Sequence, residues 1–339
     1  MNNVRMDSMN DGNQQVFEKI VTHNDFDGIV SASLCAWAIK AEKVLFTGPV
    51  AITRSRITMT ERDVVCDLPY PLQCGLWFDH HEGNLQELAY RKIDPKSIPG
   101  RFELKPSCSR VVYDYFSEDK VLPAYFLEAV EEADVIDSFS YASIDEWRKE
   151  TPGKIIDLTL KGRFSSPEDQ TSYMRNLVQQ LRDRPLTEVS KLPFVQKQLK
   201  QYREEEGRMI RTIQDASSFM DEDERKEVIV IDLTPHRRRP HLIKNLAFLL
   251  HPQALGVLEI YNLFEQGVKS NNLGVSMALS IQGNRGGHSK NIGEIMRVLN
   301  IGDGHPGAAA GTIQCTSKQE MLKKKKDVLT QIFKLWASQ

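Results

Sequence analysis

Histidine and aspartate residues recur in this chain directly after short apolar segments. The first group lies in the sequence THNDFDG, which contains His23, Asp25, Asp27 and Gly28. Alternate residues of an extended segment point to the same side, so we expect one imidazole and two carboxylates to converge there. Ligands of this kind suit Mn²⁺ or Mg²⁺ better than metals that prefer sulfur. The segment therefore predicts a site for a divalent cation.

Three further acidic or histidine groups lie at the ends of apolar segments. Taken alone, such an aspartate is commonly a turn or cap residue, and two adjacent histidines are compatible with an exposed surface. Taken together, the four groups supply about six or seven oxygen and nitrogen ligands, which is what two adjacent metal ions require once water and substrate complete the coordination. The three groups contain Asp67 in VVCDLPY, Asp79, His80 and His81 in LWFDHHEGN, and Asp134 and Asp137 in VEEADVIDSF.

The elements that must position these residues alternate between strands and helices. This order predicts an α/β domain with a parallel sheet, in which ligands gather at the carboxyl ends of the strands. Glycine at position 28 permits a tight turn from the first strand into the first helix. The expected strands are 16–22, 44–46, 64–66 and 76–78, and the expected helices are 28–41, 107–116 and 123–136.

The chain divides into four expected parts. Charged residues dominate 145–225, and the interleaved acids and bases of 191–223 predict a long solvated helix, which we interpret as a connector between two domains. The alternative is a peripheral helical insertion of the first domain. The expected parts are a flexible tail (1–14), a metal-binding domain (15–144), the helical connector (145–225) and a smaller α/β domain (226–339).

The expected elements of the smaller domain surround a glycine-rich loop that follows position 299. Strands are expected at 227–232, 254–262 and 273–281, and helices at 241–250, 292–299 and 317–336.

Composition excludes several classes of protein. The 339 residues carry a formal net charge of −2, so no global basic field marks a dedicated nucleic-acid coat. No apolar run approaches the roughly 18–20 residues of a membrane span, and the polar N-terminus lacks the apolar core of a signal peptide. The five scattered cysteines contain no CxxC pair, which argues against a disulfide framework or a zinc knuckle. A cytoplasmic protein without a membrane partner is the expectation.

Candidate substrate contacts lie in the second half of the chain. The glycines of GDGHPGAAAG, among them Gly302 and Gly304, allow backbone N–H groups to approach a phosphate, and His305 supplies a donor. Arg285 in GNRGGH is a further candidate phosphate contact, with an exposed hairpin as the alternative. Arg237 in PHRRRPH belongs to a run that either binds a polyanion or forms a solvated basic loop.

The ordered motifs THNDFDG, VVCD, DHH and ADVID resemble those of the DHH phosphoesterase superfamily. That superfamily includes RecJ exonucleases, nanoRNA-degrading phosphodiesterases, family II inorganic pyrophosphatases and some exopolyphosphatases. GDGHPGAAAG is similar to the GGGH…AAG signature of a DHHA1-type second domain, with Asp303 where the family usually has glycine. The resemblance implies a parallel-sheet DHH domain followed by a DHHA1-like substrate domain, and leaves only the connector without a counterpart.

The resemblance also implies roles for the motif residues. Asp79 would orient a histidine, His81 would contact the scissile phosphate, and Asp137 matches no ligand position. Two metal ions about 3.5–4 Å apart lower the pKa of a shared water and neutralise phosphate oxygens, so no side-chain nucleophile is needed. The implied cofactor is a pair of Mn²⁺ ions, with Mg²⁺ as the alternative. The implied ligands are His23 and Asp25 for the first ion, Asp67 as the bridge, and Asp27, His80 and Asp134 for the second ion.

Three functions are compatible with these features. The first is hydrolysis of phosphoester bonds in short oligonucleotides or nucleotides. The second is cleavage of inorganic chains by an exopolyphosphatase or pyrophosphatase, which would use the same metals. The third is a metal-bound regulatory protein without catalysis, against which the complete motif set argues. The expected partner is therefore an oligonucleotide, nucleotide or polyphosphate substrate, and a homodimer is possible.

Overall fold

A computed structural model describes residues 16–284 and 289–339 of the chain. The expected N-terminal tail (1–14) and the candidate residue Arg285 lie outside the described residues. None of the helices in the described ranges is both long and apolar enough to span a bilayer.

The first sheet is parallel and has the strand order β2-β1-β3-β4-β5. Its central strands β1 and β3 are buried along almost their whole length. Such continuous burial is typical of a parallel sheet that is covered on both faces. The strands are β1 (Lys19–Thr22), β2 (Lys43–Phe46), β3 (Asp63–Cys66), β4 (Leu76–Asp79) and β5 (Gly100–Phe102).

Helices cover both faces of this sheet, as the alternation of elements predicts. Helix α1 is buried along most of its length, because α4, α5 and α8 surround it on one face of the sheet. Ile52 of α2 and Leu88 of α3 are buried against the opposite face. The helices are α1 (Phe26–Ile39), α2 (Pro49–Thr53), α3 (Glu82–Tyr90), α4 (Cys108–Ser117), α5 (Tyr125–Asp137), α6 (Ile144–Arg148), α7 (Pro152–Leu160), α8 (Pro167–Asp183), α9 (Leu186–Val189) and α10 (Pro193–Ala216).

The segment expected as a connector is divided between the two domain cores. Ile156 of α7, Leu177 of α8 and Val189 of α9 belong to the same buried cluster as Ile20 of β1. The apolar side of α10, represented by Met209, packs instead against the second sheet. The charged residues of this segment therefore form the outer faces of packed amphipathic helices, and the division of the chain into two domains and a connector stays a prediction.

The second sheet is mixed and has the strand order β10-β11-β9-β8-β7-β6. Strands β7 and β8 are parallel, and the other neighbours are antiparallel. Helices α13 and α14 cover one face, and α10 and α11 cover the other. The elements are β6 (Ser217–Ser218), β7 (Val228–Asp232), α11 (Ala247–Leu250), β8 (Gly256–Glu265), β9 (Val268–Leu279), α12 (Ile281–Asn284), α13 (Ile292–Val298), β10 (Gly302–His305), β11 (Ala308–Ile313) and α14 (Lys318–Ser338).

Two expectations for the second domain were wrong. The expected glycine-rich loop is the β10–β11 hairpin, and its glycines allow close strand packing: a Cβ at Gly302 would lie 2.0 Å from the carbonyl oxygen of Ala310. The helix expected at 241–250 is a 3-10 turn followed by the short α11. At the start of that segment, His241 bonds through Nε2 to the carbonyl oxygen of Lys161 at 2.9 Å, a contact with a distant part of the chain that local sequence does not encode.

A buried ion pair in α7 provides a test of this packing. Asp157 is 3 % exposed and accepts hydrogen bonds from Lys154 (3.2 Å) and Lys161 (2.6 Å). Burial lowers the pKa of Lys154 to about 8. We expect Asp157→Ala to destabilise the protein by about 3–5 kcal/mol, because the substitution leaves the Lys154 charge buried without a partner.

Urea unfolding measures this effect. The matched control is Asp183→Ala, which removes the partner of Arg182 from an exposed pair and should cost less than about 1 kcal/mol. Equal shifts of the unfolding midpoint in both variants would contradict the assignment of Asp157 to a buried pair.

Candidate metal centre and interdomain cleft

The acidic and histidine groups of the sequence meet at one edge of the first sheet. His23 follows β1, Asp67 follows β3, and Asp79 ends β4. In the sheet, β2 lies on one side of β1 and β3 lies on the other side. The carboxyl ends of β1 and β3 therefore form a topological switch point. Ligands bind at such a point in open α/β sheets. Three sets of side chains there bring their nitrogen and oxygen atoms within 4.8 Å of one another: His23, Asp25 and Asp67; Asp27, His80 and Asp137; and Asp67, His80 and His81.

The first set lies in the turn between β1 and α1. His23 Nδ1 lies 2.5 Å from Asp25 Oδ2 and 3.6 Å from Asp67 Oδ2. The other oxygen of Asp25 accepts from the backbone N–H of Gly28 and caps α1. A Cβ at Gly28 would lie 2.3 Å from the carbonyl oxygen of His23, so only glycine permits this tight turn. Contacts within this turn thus position both side chains.

The second set surrounds His80. Its Nε2 atom lies 3.9 Å from Asp27, 3.7 Å from Asp67 and 3.5 Å from Asp137, measured to the nearest carboxylate oxygens. The Nδ1 atom of His80 lies 2.9 Å from the carbonyl oxygen of Lys105, which fixes the ring and leaves Nε2 toward the three acids. The Nε2 atom of His80, a candidate metal ligand, is therefore surrounded by carboxylates.

Asp27 is held by the start of α4. The backbone N–H groups of Cys108 and Ser109 donate to its two carboxylate oxygens at 2.7 and 2.8 Å. A helix N-terminus stabilises a negative charge, so α4 keeps this buried carboxylate in place.

Asp79 and Asn84 position His81. Asp79 is fully buried, and its carboxylate contacts His81 Nδ1 at 2.9 Å and accepts a hydrogen bond from the Asn84 side chain at 2.7 Å. The implied orienting role of Asp79 stays a proposal, and this geometry supports it. Sequence reasoning missed Asn84, which lies in the first turn of α3, because a lone asparagine in a helix carries no motif.

Two buried atoms of the site indicate whether divalent cations fit it. Asp67 Oδ2 and His80 Nε2 are buried and lack a hydrogen-bond partner among the described residues. A buried polar atom without a partner is costly unless an ion or water completes it. Carboxylate oxygens and imidazole nitrogens are suitable donors for Mn²⁺ and Mg²⁺, so the residues fit such ions.

Burial and mutual repulsion of the acids raise the pKa values of Asp27 and Asp137. Burial, followed by the charges of Asp67 and Asp137, raises the pKa of Asp27 well above its ordinary value. Burial, followed by the charge of Asp67, raises the pKa of Asp137 to about 7. Burial opposes the charge on His23 and His80, but the bond of His23 with Asp25 and the carboxylates close to His80 raise the pKa values to about 11 and about 10. These shifts favour bound protons on Asp27, Asp137 and the two histidines, and a divalent cation would take the place of those protons.

Asp67 sits at a strained point of the backbone. Its φ angle is +57°, in the left-handed region that non-glycine residues rarely adopt. Burial would raise its pKa, but the proximity of His23 and His80 holds the pKa below its ordinary value. Strain of this kind persists where the surroundings over-determine it, and here it places a charged carboxylate between two histidines.

Asp134, implied as a ligand by the resemblance, lies outside the cluster, and Asp137 lies within it. Arg110 donates to Asp134 through Nε (2.9 Å) and Nη2 (2.6 Å), and Ser107 donates to its other oxygen (2.6 Å). One oxygen of Asp134 is therefore paired with Arg110 and the other accepts from Ser107, so Asp134 links α4 to α5. The sequence did not reveal this because Asp134 and Asp137 lie three residues apart on one helix face. We therefore propose Asp137, in place of Asp134, as a ligand of the second ion.

The cleft between the two domains adjoins this cluster and has two chambers. The rings of His81 and His305 lie 5.7 Å apart and line both chambers. The Arg297 chamber, of about 460 Å³, is lined by Asn84, Asn291, Arg297 and Asp303. The Phe139 chamber, of about 750 Å³, is lined by Lys105, Ile136, Phe139, Lys244, Asn245, Ala278 and Leu279.

Of the substrate residues expected from the sequence, His305 and Gly304 line the cleft. The N–H of Gly304 already donates to Asp303 at 2.8 Å, so it is not free for a phosphate. Gly302 serves strand packing in the hairpin. Arg237 is exposed and lines neither chamber. Arg297 and Lys244 carry no local signal in the sequence, because the domain arrangement brings them to the cleft.

No protein-family model and no curated protein sequence matches the chain. Its fold does match solved structures. The pGpG-specific phosphodiesterase PggH from Vibrio cholerae has a TM-score of 0.68 and 24% sequence identity, with 93% of this chain and 98% of that chain covered. A DHH domain described as a member of a family of ribosomal proteins has a TM-score of 0.56 at 12% identity, covering 94% of this chain and 86% of that one. RecJ exonuclease bound to manganese has a TM-score of 0.50 at 11% identity, covering 94% and 90%. The chain therefore has the two-domain DHH/DHHA1 fold.

The different surroundings of Asp134 and Asp137 lead to a direct prediction. We expect Asp137→Asn to weaken Mn²⁺ binding by more than about 100-fold with the fold retained, because loss of a ligand exceeds the effect of a supporting residue. Asp134→Asn should keep Mn²⁺ binding and lower the free energy of unfolding by about 1.5–3 kcal/mol, because it removes a charged hydrogen bond from Arg110. Calorimetric titration with Mn²⁺ and thermal unfolding of both variants distinguish the roles, and the reverse pattern would restore Asp134 as the ligand.

A second prediction concerns pH. The pKa values of about 11 for His23 and about 10 for His80 leave both imidazoles protonated at neutral pH. A metal must displace these protons and those that the raised pKa values keep on Asp27 and Asp137, so its affinity should rise with pH, and binding at pH 7 should release at least two protons. Titrations in two buffers that differ in ionisation enthalpy measure this number. His236→Gln is the control and should leave it unchanged, whereas absence of proton release would contradict the assigned ligands.

Proposed function

We propose that this protein is a metal-dependent phosphoesterase that hydrolyses phosphoester bonds of short oligonucleotides or nucleotides with water as the nucleophile. The observation that carries the proposal is the convergence of His23, Asp25, Asp27, Asp67, His80 and Asp137, with buried unpartnered atoms, beside an interdomain cleft. The fold shared with a pGpG-specific phosphodiesterase and with RecJ supports it.

The proposed division of labour follows from the donor set. His23 and Asp25 would hold one ion, Asp67 would bridge, and Asp27, His80 and Asp137 would hold the other. Bound divalent ions, Mn²⁺ in the first instance, would lower the pKa of water and neutralise charge on the phosphate. No side chain in this set acts as a nucleophile.

His81 is proposed to bind the scissile phosphate. Burial opposes its charge, but the bond with Asp79 raises its pKa, which favours the imidazolium form. With Nδ1 engaged by Asp79, the Nε2–H group remains to donate to a phosphate oxygen. A donor placed where negative charge develops lowers the barrier of the reaction.

His305 is proposed to hold the substrate from the second domain. Burial, followed by the charges of His81 and His80, lowers its pKa, so the neutral ring is favoured. A neutral imidazole donates one hydrogen bond and adds no positive charge. The second domain would therefore orient the substrate, and its neutral histidine would add no positive charge beside the metal ions.

Hydrolysis by the purified, Mn²⁺-loaded protein tests this proposal. The panel contains a dinucleotide, a 3′-phosphorylated nucleotide, a cyclic dinucleotide, polyphosphate and pyrophosphate. We expect turnover of the dinucleotide, loss of activity on chelation, and no activity in Asp67→Ala. His305→Ala should retain bound Mn²⁺ and raise KM or lower turnover, because it acts on the substrate alone.

Other outcomes have defined meanings. Turnover confined to polyphosphate or pyrophosphate would reassign the protein to inorganic chains. Bound Mn²⁺ without turnover of any substrate would support a regulatory role. Full activity of Asp67→Ala would overturn the metal centre itself.

A further inference from the structure

The Phe139 chamber combines apolar walls with polar groups on opposite domains. Ile136 lies near the end of α5, Phe139 follows that helix, and Ala278 and Leu279 come from the end of β9. Its volume of about 750 Å³ falls within the usual range of small-molecule sites. An inorganic phosphate chain has no apolar part that would favour such walls, whereas a nucleobase has two apolar faces.

Phe139 is held beside the metal cluster in an unusual backbone conformation. Its φ angle is +52°, which is rare for a bulky residue. Edge-to-face contacts with Tyr141 (5.5 Å between ring centroids) and Trp147 (5.7 Å) fix the ring. Because Phe139 follows Asp137 by only two residues, one turn places a metal-ligand candidate and an aromatic ring at the same cleft.

Lys244 and Asn245 line the chamber from the second domain. Across 16–284 and 289–339, neither side chain has an ion pair or a hydrogen bond. Burial lowers the pKa of Lys244, and the charge of Glu259 opposes this shift. An unpaired cation and an unpaired amide at the wall of a cleft are suited to a ligand that carries hydrogen-bond acceptors.

We propose that the Phe139 chamber is a nucleobase-binding subsite that prefers guanine to adenine. The inference rests on the proposed phosphoesterase function and assigns the residues that select its substrate. Phe139 packs against the base, and Lys244 and Asn245 bind its edge. Guanine presents two adjacent acceptors, O6 and N7, which a lysine recognises, whereas adenine presents an amino group that would face the ammonium donor.

The test compares three substrates of equal backbone length: the guanine dinucleotide pGpG, the adenine dinucleotide pApA and an abasic dinucleotide. Lys244→Met removes the charge and keeps most of the stem, so we expect kcat/KM for pGpG to fall about 10- to 100-fold. Hydrolysis of pApA should change by less than about 3-fold, because adenine offers the ammonium group only N7 and places its amino donor where guanine has O6. Lys244→Arg should retain the preference for guanine, since it keeps paired donors.

Phe139→Ala tests the packing contact. It should lower kcat/KM for pGpG and pApA alike by about 5- to 100-fold, because base stacking on an aromatic ring is tolerant of sequence. Hydrolysis of the abasic dinucleotide should be unaffected. Asn245→Leu provides an independent variant, and Lys323→Met on the exposed face of α14 is the matched control, which should behave as wild type.

The outcomes separate the two proposals. If wild-type protein hydrolyses no dinucleotide, the proposed function fails and the subsite falls with it. If wild type hydrolyses dinucleotides but the variants, with Mn²⁺ content intact, lose pGpG and abasic hydrolysis equally, the subsite is wrong and the function stands. A selective loss of pGpG hydrolysis in Lys244→Met, with recovery in Lys244→Arg, supports the subsite.

Discussion

Repulsion among four carboxylates at one sheet edge is the constraint on which the rest of the structure depends. Asp25, Asp27, Asp67 and Asp137 all approach the same small volume. Each is held by a different device: a helix cap for Asp25, the N-terminus of α4 for Asp27, a strained backbone for Asp67 and the last residue of α5 for Asp137. The sheet and its helices thus hold together charges that would separate in a flexible chain.

The same constraint explains why the positioning contacts lie outside the cluster. His80 is fixed through Lys105 and His81 through Asp79, so each ring keeps one nitrogen toward its support. The pair of Asp134 with Arg110 joins α4 to α5, and these helices carry the groups that hold Asp27 and Asp137. Residues that bind no metal therefore determine where the ligand candidates lie.

The sequence predicted those features of the fold that depend only on neighbouring residues. The strands that end at Thr22, Cys66 and Asp79 were predicted, because short apolar runs followed by polar residues are a local pattern. The different surroundings of Asp134 and Asp137 were not predictable, because the bond that occupies Asp134 comes from Arg110, a residue on another helix. The β10–β11 hairpin was mistaken for a loop, since its glycines and alanines lack the branched side chains typical of strands. The chambers depend on the approach of two domains, which no local pattern encodes.

Asp303 is where this chain departs from the glycine-rich signature it resembles, and the departure changes how the cleft uses its charges. Its carboxylate binds Arg297 at 2.7 Å and the N–H of Gly304 at 2.8 Å. Glu294 lies 3.1 Å from the same guanidinium. Two acids thus face one arginine, so the Arg297 chamber offers little free positive charge to a terminal phosphate. Lys244, in the other chamber, has no such partner among the described residues, so the unpaired positive charge of the cleft lies on the Phe139 side of His305, where the proposed subsite would bind a base-bearing substrate.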